Sequence, residues 1–411
     1  MALQSLKAED LLSFLPKDGL ILVQGCSGES ELLAQALRDL GDAVGAITVT
    51  GIFVPGLNRT LWLPNARSRV RTFFLTPELR RQQAQVEFLP LCYGDILTHL
   101  RTAKIAAALF QVSPPDAQGL CSFGPIVDFL AELWPQIPVR IAQINPSLPR
   151  VKGYKGIPFT ELTACYEADT PLLGMPDDPP DAVANAIAAH IAGFVPDGAT
   201  LQIGLGRIPG AVLHALRDHR HLRLHSGLVG DAVLGLAAAG ALAPGAAITA
   251  GVAIGTPELY AATSSEIFQF QPVSYTHNPH ILAAIPNLVT VNSALSIDLF
   301  GQSFAELTPR GLLSGPGGAS DFARGAKAGG GLRIIALPAV AGNVSRIVPP
   351  GGGAGPVSLG RMDTDIIVTE YGAADLRGLT HDARAQALIR IAAPGEREVL
   401  SVSWREFSKT L

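Results

Sequence analysis

Charge is scarce in this chain. Only 16% of its 411 residues are Asp, Glu, Lys or Arg, the formal net charge is −4, and the basic residues are scattered rather than gathered into a stripe. Nucleic acid is therefore excluded as a partner, because phosphate neutralisation needs clustered Lys and Arg. Cysteine is scarcer still. Cys26, Cys92, Cys121 and Cys165 show no CxxC spacing and no small-scaffold pattern, so they read as reduced thiols of a cytoplasmic protein, with a catalytic thiol as the lesser alternative. The N-terminal stretch MALQSLKAEDLLSFLPKDG carries acidic residues and lacks an uninterrupted apolar segment, which argues against a signal peptide. No HExxH frame is present, and His214, His219, His221 and His225 crowd one segment without a carboxylate pattern. No metal site is expected there. Instead the histidines are expected at an exposed helix end and turn, with His225 set apart as a candidate base. One segment, Ala232 to Pro257, has 26 residues without a charge. It meets the length of a membrane span, but Pro244-Gly245 breaks it and its composition is Ala and Gly. A helix over 231–241, a turn and a buried strand over 247–254 are expected, and no membrane partner.

Glycine (43), proline (31) and apolar residues (48%) are abundant, a composition that suits buried parallel sheets joined by tight turns. The length argues for two domains. The Pro- and Asp-rich run MPDDPPDA, Met175 to Ala182, marks the change of composition, giving expected domains at 1–178 and 179–411. The first half offers strands near 19–23, 46–50, 72–74, 86–88, 105–110 and 139–144, with amphipathic helices such as 31–40 between them. The second repeats the style, with strands near Leu201, Leu222, Ile248, Leu288, Ile334 and Ile366. Alternating β and α segments predict an α/β fold with parallel sheets covered on both faces.

The most informative segment is LQIGLGRIPGAVLHALRDHRHLRLHSGLVGD, Leu201 to Asp231. It reads as strand, glycine turn (Gly204, Gly206), helix opened near Pro209, and second strand. Its G-x-G-x-x-x-G spacing is one residue longer than a dinucleotide fingerprint, so a nicotinamide site is a weak reading. Ser314-Gly315-Pro316-Gly317-Gly318 is the strongest chemical candidate, because glycines let backbone N–H groups converge on an anion. The alternative is a tight turn before a helix over 321–328. Gly351 to Gly355, between prolines, reads as a flexible surface loop. Asp231 stands where a helix begins, either as its N-cap or as a carboxylate that orients water. Glu370, after a buried strand, is either a carboxylate at the ligand-binding end of a sheet or half of an ion pair with Arg361 or Arg377. His277, in YTHNPH, is a second candidate base or a plain loop residue.

Six segments together resemble the acetyl-CoA hydrolase/transferase family, which includes 4-hydroxybutyrate CoA-transferases. They are Leu201–Asp231, VSPPDAQGLCSFG (Val112–Gly124), Asn287–Gln302, LSGPGGASDFARGA (Leu313–Ala326), IIALPAVAGNVSRIV (Ile334–Val348) and DIIVTEYGAADLRGL (Asp365–Leu379). The resemblance implies two tandem open α/β domains of the CoA-transferase type. It also implies an acyl-CoA and a small carboxylate as substrates, no tightly bound cofactor, and a homo-oligomer, expected as a dimer. Gln202, Gly204, Gly206, Asn292 and the loop Gly315–Gly318 are its implied acyl-CoA and oxyanion site. In the family the second strand leads into His-Ser/Thr-Glu, with an Asp four residues past the Glu; here the run is His225, Ser226, Gly227 and then Asp231. The family's nucleophilic glutamate falls on Gly227. Ser296 and Ala319 stand where the family usually has Glu and Gln, and Pro316, where it usually has Val, removes one backbone donor.

In the family the glutamate attacks the thioester to form an acyl-glutamyl anhydride, which CoA opens to a glutamyl-CoA thioester. Glycine supplies no carboxylate. The sequence leaves three readings: transfer of CoA by an altered route; hydrolysis of a thioester or a C–C bond by water, with Asp231, Glu370 or a histidine as base; or acyl-CoA binding without turnover.

Overall fold

A computed structural model describes residues 8–308 and 311–411. The first seven residues of the N-terminal stretch read for a signal peptide lie outside the described residues. Two compact units emerge. The first runs to Pro176 and takes in Ile248–Thr276, and the second comprises Asp177–Ala247 and His277–Leu411. A single cut at 178/179 differs from this division by the segment that returns to the first unit, which composition along the chain has no means of showing.

The first unit is built on seven parallel strands: β1 (Asp18–Val23), β2 (Ala46–Gly51), β3 (Arg69–Thr72), β4 (Val86–Phe88), β5 (Ile105–Val112), β6 (Val139–Ile144) and β7 (Ala164–Glu167). Their order is β4-β3-β2-β1-β5-β6-β7. Leu33, Ala34 and Leu37 of the helix Glu31–Asp39 join Ile21, Val49 and Leu109 of the sheet in one core. Ser30 caps that helix, its hydroxyl accepting from the Leu33 N–H. β3 lies three residues earlier than the strand expected at 72–74. Its polar R-V-R-T pattern conceals it, since Arg71 is spent on a cross-strand pair with Glu87 at 2.8 Å. The strands Ile248–Ala253 and Phe268–Phe270 pair with each other and are tied to this unit. The Val127 N–H donates to Gly251 O, and the Phe270 N–H donates to Lys152 O. Gly153 is required at this seam. Its φ is +102°, and a Cβ there would fall 2.3 Å from Phe270 O.

In the second unit the strands β8 (Thr200–Ile203), β9 (Arg223–Val229), β10 (Leu288–Ser293), β11 (Leu332–Ala336) and β12 (Ile366–Thr369) are followed by β13 (Gly372–Asp375). The order is β9-β8-β10-β11-β12-β13, parallel except for the last pair. The helices His381–Ile391 and Arg397–Ser408 close one end of the core, where Trp404 is buried and its indole N–H donates to Asp382 at 2.7 Å. The helix expected over 231–241 is shorter, Ala232–Ala238, and the following strand, Ile248–Ala253, lies within its expected 247–254. Gly351–Gly355 is an irregular segment on the surface, in which Gly353 alone is partly buried. A Cβ on Gly353 would lie 2.1 Å from the Phe304 ring, and the Gly351 N–H donates to buried Asp298. Among the described residues no helix is long and apolar enough to cross a membrane. The α/β class and the tandem open-sheet architecture are thus as expected.

Candidate active site

In an open parallel sheet the chain leaves a crevice at the carboxyl ends of the two strands from which it winds in opposite directions. In the second unit those strands are β8 and β10. Gln202 and Asn292 face each other there, Asn292 Nδ2 donating to Gln202 Oε1 at 3.0 Å, with Gln202 buried. The glycine turn follows at once. Gly206 has φ +113° and precedes the helix Arg207–Ala215, whereas a Cβ on Gly204 would meet nothing within 4 Å. Only Gly206 needs to be glycine for its backbone. A cavity of about 240 Å³ opens at this crevice, lined among others by Leu205, Gly206, Arg207, Ser293 and Pro338. Its one cation, Arg207, is already held by Asp181 at 2.8 Å.

Gly227 lies inside β9 rather than in a loop after it. Its neighbours His225 and Ser226 are buried, and the Ser226 hydroxyl donates to Ile203 O at 2.7 Å, tying β9 to the end of β8. The space beyond Gly227 is filled. A Cβ built on it would stand 2.6 Å from His277 Cε1 and 2.8 Å from His277 Nε2. The same imidazole lies against Gly318, whose Cβ would stand 2.6 Å from Nε2 and 2.8 Å from Cδ2. Phe322 backs it, with ring centroids 4.6 Å apart. His277 is only 4% exposed, while Gly227 and Gly318 are each partly open to solvent. Burial first, and then the neighbouring charge of His225, pull the His277 pKa down to about 3. The ring is neutral at any working pH.

Local sequence explains its position. Asn278 caps the helix Pro279–Ala283, accepting from the His280 N–H at 2.9 Å. Leu282 of that helix packs with Phe322 and Ala326 of the helix Ala319–Ala328. Gly325 makes the approach possible, since a Cβ there would lie 2.4 Å from Leu282. The residue just before the cap is thereby brought beside Phe322 and Gly318.

The loop Ser314–Gly318 runs into the helix Ala319–Ala328, which starts two residues earlier than expected. Gly315 is buried, Gly317 has φ +62°, and Pro316 contributes no N–H. The loop therefore keeps glycine geometry at the site where Gly318 meets His277.

The remaining candidates lie apart from this cluster. Asp231 precedes the helix Ala232–Ala238 but makes no side-chain cap, because it is itself in helical conformation. Asp177 does so instead, its carboxylate accepting from the Ala232 N–H at 3.2 Å. Asp231 lines a different groove of about 260 Å³ with Asp177, Asp178, His214 and Arg217. Glu370 sits at the turn between β12 and β13, accepting from the Ala339 N–H at 2.8 Å; burial lowers the pKa of Arg346, and the charge of Glu370 opposes that shift. Of the two arginines expected as alternative partners, Arg361 and Arg377, the second is paired with Asp375. His214 and His221 are exposed, and His219 lies near Val195 O, whereas His225 is inside β9. Among the described residues no group of three or more His, Cys, Asp or Glu is arranged to hold a metal. All four cysteines are free thiols, and burial, with Asp128 and Glu29 nearby, holds Cys26 well above the ordinary thiol range, the reverse of an activated nucleophile. Of the site residues, His277 is the one to which sequence reasoning gave too little weight. Its only sequence signal was the Asn-Pro helix start that follows it.

The fold is an α/β architecture of open, largely parallel sheets, and the proteins it resembles give its family. The acetyl-CoA hydrolase/transferase C-terminal domain matches residues 255–403. The 4-hydroxybutyrate coenzyme A transferase of Clostridium kluyveri is 38% identical over 79% of this chain and 78% of its own length. An acetyl-CoA hydrolase of Kluyveromyces lactis is 28% identical over 53% of this chain and 44% of its own. Among solved structures, RipA from Yersinia pestis superposes with a TM-score of 0.91 at 29% identity, covering 98% of both chains. A 4-hydroxybutyrate CoA-transferase from Porphyromonas gingivalis gives 0.80 at 29% identity, over 98% of this chain and 97% of that one. The chain belongs to the acetyl-CoA hydrolase/transferase family, an acyl-CoA-handling family of CoA-transferases and hydrolases.

Proposed function

We propose that this protein moves CoA between an acyl-CoA and a small carboxylate without passing through an acyl-glutamyl anhydride. One observation carries the altered route: the position of the family's nucleophile is Gly227, and the volume its side chain would enter is taken by the His277 imidazole. The rest of the site supports retained binding, since the Gln202–Asn292 pair, the Gly206 turn and the glycine loop at 315–318 are in place. CoA enters as a substrate thioester and no resident cofactor is invoked. Four free thiols accord with a reducing cytoplasm, and the assembly is taken to be a homodimer, which light scattering would check. Water in place of the carboxylate turns the same chemistry into hydrolysis, the activity named for the K. lactis relative.

The test is mass spectrometry of CoA esters after incubating the purified protein with a panel of acyl-CoAs and carboxylates. New acyl-CoA species are the expected result. Free CoA without a new ester would assign hydrolysis. No turnover with any pair would overturn the enzymatic reading in favour of acyl-CoA binding alone.

A further inference from the structure

The cation that lines the crevice, Arg207, is spent on Asp181. A second one, Arg346, is placed beside the crevice by the backbone. The chain leaving β11 passes through Pro338, which lines the cavity, into a short hairpin of Val340–Ala341 and Val344–Ser345. The hairpin returns it to Arg346, whose N–H donates to Ala339 O and whose carbonyl accepts from the Ile297 N–H, each at 2.8 Å. Arg346 is thus pinned between the chains leaving β11 and β10, the two that supply Pro338 and Ser293 to the cavity wall. Its side chain is half-buried, and among the described residues the guanidinium forms no ion pair and no hydrogen bond. Glu370 is near enough for its charge to act on the guanidinium, yet it spends Oε2 on the Ala339 N–H. A fork of donors partly withdrawn from water and left without a hydrogen-bond partner matches a carboxylate.

We propose that Arg346 binds the acceptor carboxylate, so that acyl-CoA and acceptor react within one complex rather than each in turn with the enzyme. This rests on the acyl-CoA reading above and lets transfer proceed without a nucleophile from the protein. A carboxylate offers about four lone-pair positions, and the two taken by the guanidinium fork leave others for attack. One acceptor oxygen attacks the thioester carbonyl carbon. The C–O bond forms, the C–S bond breaks, and the electron pair leaves on the CoA sulfur. The thiolate then attacks the acceptor's own carbonyl carbon in the mixed anhydride. The new C–S bond forms, the bridging C–O bond to that carbon breaks, and the first acyl group departs as its carboxylate. No proton is taken up or released.

Two further properties fit the role. Burial pulls the Arg346 pKa below that of an ordinary arginine, so an incoming carboxylate replaces solvation that the guanidinium has lost. Water, which carries no charge, gains little from the same group. Arg346 therefore favours transfer over hydrolysis by holding the acceptor beside the thioester.

The experiment measures initial rates with butyryl-CoA and acetate both varied, and counts new acetyl-CoA against free CoA in the products. Double-reciprocal lines that intersect, rather than run parallel, are expected from the unmodified protein. R346M should raise the KM for acetate about 10- to 100-fold, as loss of hydrogen bonds to a charged group implies, and the KM for butyryl-CoA far less. Its products should shift from transfer toward hydrolysis. R346K, which keeps the charge without the fork, should recover part of the loss. The rate pattern uses the unmodified protein and stands even where R346M does not fold. Parallel lines, or a folded R346M with the parent's acetate KM and product ratio, would overturn the acceptor site while leaving the function in place. Free CoA alone from the unmodified protein would overturn it in favour of hydrolysis, and absence of turnover with every acyl-CoA and carboxylate pair would overturn both readings.

Discussion

Replacing Gly227 with glutamate returns the family's nucleophile to the sequence, and the structure predicts that this alone does not restore its action. The Cβ alone arrives 2.6 Å from His277 Cε1 and 2.8 Å from Nε2, well inside any contact real atoms tolerate. The ring has nowhere to retreat. Gly318 lies along its Nε2–Cδ2 edge and Phe322 stands 4.6 Å behind it, so either the imidazole or β9 must shift. Overpacking of this kind costs about 1–3 kcal/mol. For a domain of about 150–250 residues each kcal/mol moves Tm by about 2–4 °C, so G227E should melt about 2–12 °C below the parent. The double variant G227E/H277A opens the space and should recover part of that loss, with a favourable coupling of about 1–3 kcal/mol in the double-mutant cycle. The double variant, rather than the single one, should form a covalent glutamyl-CoA adduct on incubation with acyl-CoA. Calorimetry of the four proteins and intact-mass analysis provide the readouts. A G227E protein that melts with the parent and forms the adduct unaided would refute the packing argument.

The other predictions concern buried or closely packed groups. Asp298 is fully buried and accepts from the Phe300 and Gln302 N–H groups, the Gln302 amide and the Gly351 N–H, so D298A strands several donors. A loss of at least about 1–3 kcal/mol is expected in urea unfolding, and an unchanged midpoint would show that water replaces the carboxylate. Burial lifts the Glu29 pKa from 4.5 to about 7, opposed by the hydrogen bond from the Trp62 indole. Because the folded pKa is raised, the contribution of Glu29 to stability is complete below pH 4.5 and is lost as pH rises through 7. E29Q should therefore gain relative to the parent between pH 5 and 8, by up to about 3 kcal/mol, and parallel stability curves would contradict this. His277 acts with the opposite sign: its pKa is depressed, so its contribution is complete above about 6.5 and falls as pH drops toward 3, a slope that H277Q should remove. G353A places a methyl group 2.1 Å from the Phe304 ring and should cost about 1–3 kcal/mol by thermal unfolding; a Tm within error of the parent would show that the loop yields.

Elements defined by local patterns were legible in the sequence. The alternation of apolar runs with helical periods gave both sheets, and the segment from Leu201 showed its strand, glycine turn, helix and strand. β3 was displaced in the reading because a half-polar strand carries its signal in the Arg71–Glu87 pair, which is not local. Asp231 stands where an N-cap belongs, yet Asp177 performs that task from a segment distant in sequence. Glu370 likewise found Ala339 and Arg346 rather than the arginines near it in sequence.

The sequence by itself determined the fold class, the family and the absence of a carboxylate at residue 227, since each is written in residue type and spacing along a continuous stretch. Tertiary structure alone decided what occupies that place. Gly227, His277 and Gly318 lie far apart in the chain and carry no mutual signal. The capped helix Pro279–Ala283, packed through Leu282 on Gly325 and Phe322, carries the imidazole to the two glycines. Packing is a relation between surfaces, and it exists only once the helices and β9 have been assembled.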